Sequence, residues 1–201
     1  MHKAIIFDLG NTILPFDFKH AYRELESCCP YASAEIGERF TATKLAEPFE
    51  LGLIEPHEFV RQVSEALHLR IDYAEFCKTW NSIFTQPVIS EAMIAGLAAR
   101  YRLVLLSNTN AIHFEMIRAK QPFMRHFHEL VASHEVHALK PQAEIYRIAV
   151  ERAGCSPREC LYVDDIASYV ETARKMGIDA VTFRSTEQLE ADLAAREIEW
   201  Q

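Results

Sequence analysis

The stretch Lys3-Ala-Ile-Ile-Phe-Asp8-Leu-Gly10-Asn11 decides the fold. Its apolar run is too short for a helix, stops at a carboxylate and passes straight into turn residues, the pattern of a buried strand. The same unit recurs at Arg102-Leu-Val-Leu-Leu-Ser107 before Asn108-Thr109-Asn110, and again at Cys160-Leu-Tyr-Val-Asp164-Asp165. Weaker strands are expected at Glu129–Ser133 and Asp179–Phe183. Near-continuous apolar strands separated by helical stretches are what a parallel sheet covered on both faces requires.

Start and stop signals fill the gaps between these strands. Ser90 precedes an apolar face at Met93, Ile94 and Leu97, and Pro141 is expected to open a helix bearing Ile145, Ile148 and Ala149. Ser156-Pro157-Arg158-Glu159 has capping-box spacing, and the run Ile166–Met176 stops at Gly177. Residues 16–85 lack a convincing strand. Phe59, Val63 and Leu67 share one helical face there, and Asp72 is placed to cap a helix carrying Phe76, Trp80 and Ile83 or Phe84. The expected fold is α/β: a doubly wound, Rossmann-like parallel-sheet core of residues 1–15 and 86–201, with residues 16–85 inserted as a helical cap.

Composition bounds the function. The 201 residues are 49% hydrophobic and 25% charged, with a net charge of −8. That balance argues against a basic nucleic-acid footprint or a polybasic membrane patch. The longest apolar runs, such as Leu103–Leu106, fall far short of the ~20 residues that span a bilayer. The opening run reads as a strand rather than a leader, and five cysteines with no CxxC pair suit a reducing compartment. A cytoplasmic protein is expected; nothing in the sequence sets its oligomeric state.

The chemistry collects where strands end. In an open parallel sheet the carboxyl ends of neighbouring strands share one crevice. Asp8, Ser107 and Asp164-Asp165 end three of them, and Lys140-Pro141 lies between the second and third. Carboxylates held close together need a cation, and an all-oxygen donor set points to Mg²⁺. Lysine and serine suit phosphate oxygens. The residues therefore point to metal-assisted phosphoryl transfer to Asp8.

Phe7-Asp8-Leu9-Gly10-Asn11-Thr12, Leu106-Ser107-Asn108, Lys140-Pro141 and Val163-Asp164-Asp165 together resemble the four ordered motifs of the haloacid dehalogenase superfamily, most nearly a bacterial sugar-phosphatase branch. The resemblance implies a Mg²⁺-dependent phosphatase of a small phosphorylated metabolite. Asp8 would be the nucleophile and a metal ligand, and the Gly10 carbonyl and Asp165 further ligands, with Asp164 a ligand or beside one. Ser107 and the amides after it, beginning at Asn108, would hold phosphate, which Lys140 would neutralise.

The pattern breaks at Gly10, where most phosphatases of this superfamily carry the Asp that protonates the leaving group. Such help is worth about 10²–10⁴-fold in rate. The substrate could have a good leaving group; another acid could act, with Asp17, His113 or a cap residue as candidates; or the chain could be a weakly active or inactive phosphate-binding relative. A 2-haloacid dehalogenase is the enzymatic rival, since those relatives also lack the second Asp, but they place Ser and Asn where this chain has Asp164-Asp165. In motif four, Tyr169 and Val170 stand where a polar residue often ties down the loop.

Blander readings remain for other residues. His134-Glu135-Val136-His137 falls one residue short of a zinc HExxH pattern. Phe49, Leu51, Ile54, Phe76, Trp80 and Phe84 are expected to be cap core rather than a substrate cage. Glu50-Leu51-Gly52 is expected to face the crevice.

Overall fold

The structure, a computed structural model, describes residues 1–201. Five strands, β1 (Ala4–Phe7), β2 (Arg102–Ser107), β3 (Glu129–Ala132), β4 (Cys160–Asp164) and β5 (Asp179–Thr182), form one sheet in the order β3-β2-β1-β4-β5. Every pairing is parallel, with Phe7 in register with Leu105 on one side and Val163 on the other. Side chains alternate across a strand, so both faces of β1 carry load. Ile5 and Phe7 enter a 24-residue apolar cluster on one face, while Ala4 and Ile6 enter a 16-residue cluster on the other. Burying an Ile or Phe side chain contributes roughly 1.5–3 kcal/mol, which is why these strands read as unbroken apolar runs.

All regular elements between Phe18 and Ile83 are helical: α1 (Phe18–Leu25), α2 (Ser33–Thr43), α3 (Ala46–Glu50), α4 (Pro56–Leu67), α5 (Tyr73–Trp80) and two short 3₁₀ turns. Phe59, Val63 and Leu67 share the buried face of α4, and Asp72 caps α5 by accepting from the Glu75 amide at 2.8 Å. The α5 helix ends at Trp80. Ile83 therefore sits in the 3₁₀ turn Asn81–Ile83, and half-buried Phe84 in an antiparallel bridge with Phe16. The Asp17 amide donates to the Ile83 carbonyl (2.9 Å) and the Thr85 amide to the Pro15 carbonyl (3.0 Å), a two-strand neck joining these helices to the sheet. Their apolar cluster also takes in Ile112 from below, so they are seated on the sheet layer.

The helices that cover the sheet are α6 (Glu91–Ala98), α7 (Ala111–Lys120), the single turn α8 (Ser133–Val136), α9 (Ala143–Ala153), α10 (Ala167–Lys175) and α11 (Thr186–Ala194). Ser90 and Asn110 cap α6 and α7 through their side chains. Two expectations fail. Pro141 does not open α9, whose N-cap is Gln142; it lies in the preceding turn, after a cis peptide bond. The capping box Ser156/Glu159 is formed, but on a 3₁₀ turn, Pro157–Glu159, because β4 begins at once.

Candidate active site

The carboxyl ends of β1, β2 and β4 bring Asp8, Ser107, Asp164 and Asp165 to one edge of the sheet. The three carboxylates offer oxygens within 4.8 Å of one another, the one acidic or metal-ligating cluster in the molecule. Lys140 reaches in from the β3–α9 connection, its Nζ 2.5 Å from Asp8 Oδ1 and 2.7 Å from Asp164 Oδ2. Asp8, Asp164 and Lys140 are all buried. Three carboxylates, two buried and one half-buried, share one ammonium, an excess of negative charge at the site. That is expensive to maintain without a cation.

The titration tendencies carry the same message. Burial pushes the Asp8 carboxyl up to about 7, with Asp164 and Asp165 adding repulsion and Lys140 only partly opposing them. Burial, then Asp164, also raises Asp165. Burial works against the Lys140 ammonium, but Asp8 and Asp164 outweigh it and hold its pKa above the ordinary lysine value.

Asp164 and Asp165 differ sharply although they are adjacent. Asp164 Oδ2 accepts from Lys140 Nζ and from the Tyr162 hydroxyl, and its Oδ1 accepts from the Ile166 amide at 2.7 Å. Its carboxylate is occupied by donors. Asp165 is half-buried, its amide donates to Thr12 Oγ1 at 3.1 Å, and its carboxylate makes no hydrogen bond to another side chain. The carboxylates left with free oxygens for a hard divalent cation are therefore Asp8 and Asp165.

Ser107 is buried, and its hydroxyl has one long contact, 3.4 Å to the Asn108 carbonyl, which leaves it open to a ligand. The Asn108 carboxamide is committed: Nδ2 donates to the Lys140 carbonyl (3.0 Å) and Oδ1 accepts from the Lys140 amide (2.8 Å). Asn108 thus fixes the Lys140 backbone, and what it can offer an anion is its own amide. Tyr169 lies beside the same lysine, its ring centroid 5.1 Å from Nζ.

Two of the acid candidates are spent. Asp17 is exposed and caps α1 through the Lys19 amide. His113 is buried, its Nδ1 lies 2.8 Å from Asn81 Oδ1, and burial lowers its pKa to about 3, so it carries no transferable proton at neutral pH. Glu50 remains. It lines a cavity with Gly10, Ser107 and Asn108, and burial, followed by Glu47, raises its carboxyl pKa. Its backbone is latched to the sheet layer: Ser133 Oγ donates to the Glu50 carbonyl (2.7 Å), and His137 Nδ1 donates to the Leu51 carbonyl (2.8 Å). Gly52 packs so tightly on α8 that a Cβ there would stand 2.1 Å from the His134 carbonyl oxygen.

Phe49, Phe76 and Trp80 are buried in the helical layer as expected, whereas Phe84 lines the cavity with Phe16 and Phe18. Sequence reasoning passed over Tyr162, Ser133 and Asn81. Tyr162 carried a usable signal, because residues two apart on a strand share a face and Asp164 follows it by two. Asn81 carried none, since its partner lies 32 positions away.

The sequence profile of the haloacid dehalogenase-like hydrolases matches residues 2–177. The chain belongs to this family. Among curated relatives of these hydrolases, a D-ribitol-5-phosphate phosphatase of Bacteroides thetaiotaomicron is 24% identical over 186 residues, covering 89% of this chain and 90% of that one. A haloacid dehalogenase-family enzyme of B. thetaiotaomicron, solved as a mutant with magnesium and inorganic phosphate, is 25% identical, with a TM-score of 0.79 over 92% of this chain and 96% of that one. The L-2-haloacid dehalogenase of Xanthobacter autotrophicus shares the fold at a TM-score of 0.65 and 20% identity, over 99% and 85% of the two chains.

Proposed function

We propose that this hydrolase is a Mg²⁺-dependent phosphatase acting on a small phosphorylated metabolite, such as a sugar or polyol phosphate, through an aspartyl-phosphate on Asp8. The observation that carries the reading is the cluster of three carboxylates within 4.8 Å, two buried and one half-buried, with a single ammonium against the buried pair. A dication cancels its excess charge, and a phosphate dianion then meets a site that is no longer repulsive. The phosphatase relative and the magnesium–phosphate complex of the structural neighbour support it. Displacing halide from carbon has no use for the free Asp165 carboxylate beside Asp8.

Asp8, Asp165 and the Gly10 carbonyl would hold Mg²⁺, which when bound supplies positive charge to the phosphate oxygens. The Asp8 carboxylate attacks phosphorus, and the bond to the leaving oxygen breaks. Lys140, the Ser107 hydroxyl and the Asn108 amide stabilise the charge on the phosphoryl oxygens. The Glu50 carboxyl gives its proton to the departing alkoxide, filling the place that Gly10 leaves empty. Water then attacks the phosphorus of phospho-Asp8 while the Glu50 carboxylate takes its proton, which restores Asp8 and Glu50 and frees phosphate. The segment 16–85 serves as a lid that holds water away between these steps.

Phosphate release from a panel of sugar, polyol and acyl phosphates, with and without Mg²⁺, tests the reading. Activity should require the metal and vanish in Asp8→Asn. Full activity of that variant, or metal-free release of halide from a 2-haloacid in place of phosphate, would overturn it.

A further inference from the structure

The cavity beside Asp8 has a volume of about 60 Å³ and is bounded by Gly10, Ser107, Asn108, Glu50, His113 and an aromatic wall of Phe16, Phe18 and Phe84. His113 is 5% exposed, yet its Nε2 is buried without a hydrogen-bond partner. The ring cannot turn away to find one. It stacks on Trp80 (centroids 6.0 Å apart, 3° between planes), and the Phe84 and Phe18 rings flank it at 5.1 and 6.1 Å.

Asn81 settles which nitrogen carries the hydrogen. An amide oxygen only accepts, so the 2.8 Å contact to Asn81 Oδ1 requires Nδ1–H, and Nε2 is left as a bare acceptor. Burial keeps the imidazole neutral, with a pKa near 3, so it stays an acceptor across the working pH range. An unsatisfied buried acceptor destabilises the fold, and one carried by a residue that lines the cavity with Gly10, Ser107 and Asn108 is accounted for if a ligand hydroxyl satisfies it. Aromatic faces suit the C–H surfaces of a carbohydrate chain, and a single acceptor suits one hydroxyl.

We propose that His113 is a specificity-determining residue whose Nε2 accepts a hydrogen bond from a hydroxyl on the alcohol part of a polyol or sugar phosphate. The inference rests on the phosphatase reading and adds the residue that recognises the alcohol part of the substrate.

The test compares a pentitol phosphate with n-pentyl phosphate, which has the same carbons without the hydroxyls. With the pentitol ester, His113→Phe should lower kcat/KM about 10- to 100-fold. With the pentyl ester the change should stay within about threefold, and His113→Gln should recover part of the loss by presenting an amide oxygen. Melting curves of both variants show that they fold. Equal losses on the two esters, or no loss on either, would overturn the assignment of His113. Absence of phosphate release by the wild type from any phosphate ester would instead overturn the phosphatase reading. The His113 assignment would then be decided by melting-temperature shifts: a greater shift with pentitol phosphate than with pentyl phosphate, lost in His113→Phe, supports it, and equal shifts reject it.

Discussion

Adjacent Asp164 and Asp165 should respond in opposite ways to the same isosteric change. Asp164 accepts from Lys140, Tyr162 and the Ile166 amide inside the protein, so Asp164→Asn removes the anion that three donors surround. Lys140 keeps Asp8 at 2.5 Å, so what is lost is the strength of hydrogen bonds to a charged acceptor, about 1.5–3 kcal/mol. At roughly 2–4 °C per kcal/mol for a chain of this size, the melting temperature should fall by about 3–12 °C, with or without Mg²⁺. Asp165 has a half-buried carboxylate with no side-chain donor, and burial disfavours its charge. Asp165→Asn should leave the metal-free melting temperature unchanged or slightly higher. What it should remove is the stabilisation by Mg²⁺, which for wild type amounts to about 2.7 kcal/mol at a hundredfold excess over Kd. Thermal melts of both variants in EDTA and in millimolar Mg²⁺ read all four quantities. A full Mg²⁺ shift in Asp165→Asn, or a loss under about 1 kcal/mol in Asp164→Asn, would refute this division of labour.

Two further outcomes are expected. The folded pKa of Asp8 lies near 7, above the unfolded value of about 3.9, so the metal-free native state binds a proton that the unfolded chain does not between these limits. Stability in EDTA should therefore decline as pH rises from about 4 to 7, and melts should show this slope flattened in Asp8→Asn; an identical slope in the variant rejects the assignment. Gly52 has φ +68° and faces the His134 carbonyl, so Gly52→Ala should force α3 away from α8. A loss of about 1–3 kcal/mol is expected in urea unfolding, and an unchanged midpoint would show that this contact is dispensable.

The three central strands were legible because they are buried on both faces, so their residues had to be apolar and their ends had to show. The strand bounds at Arg102–Ser107 follow from that alone. The edge strands β3 and β5 are only partly buried and read more weakly. Where local cues misled, a tertiary contact had overruled them. Pro141 is compatible with a first helical turn, but Lys140 is drawn to two carboxylates and pinned by Asn108, and the chain is not free to begin a helix until Ala143. Asp17 and His113 both carry groups capable of acid–base work, and only the structure shows that one is used on a helix cap and the other is kept neutral by burial. Glu50 was visible as part of a loop expected to face the crevice. Its proximity to Gly10 arises from a latch between Glu50 and Ser133, 83 positions apart, a pairing that no local pattern encodes.

Gly10 is where sequence and packing meet most closely. A Cβ at this position would stand 2.8 Å from Phe16 Cε1, and the Phe16 ring is itself held edge-on by Phe18 and Phe84, with centroids at 5.7 and 6.1 Å. An aspartate could enter only if that wall moved, and forcing extra atoms into a packed wall costs about 1–3 kcal/mol. The missing acid and the aromatic wall are thus one choice: the space that a carboxyl would take is filled by the Phe16 ring. If Glu50 supplies the proton instead, the acid belongs to the helical layer. It then reaches the leaving oxygen only while the Glu50 and Leu51 carbonyls are held by Ser133 and His137. Proton delivery is in that case conditional on closure, and a phosphate bound under an open lid keeps its ester bond because the acid is absent.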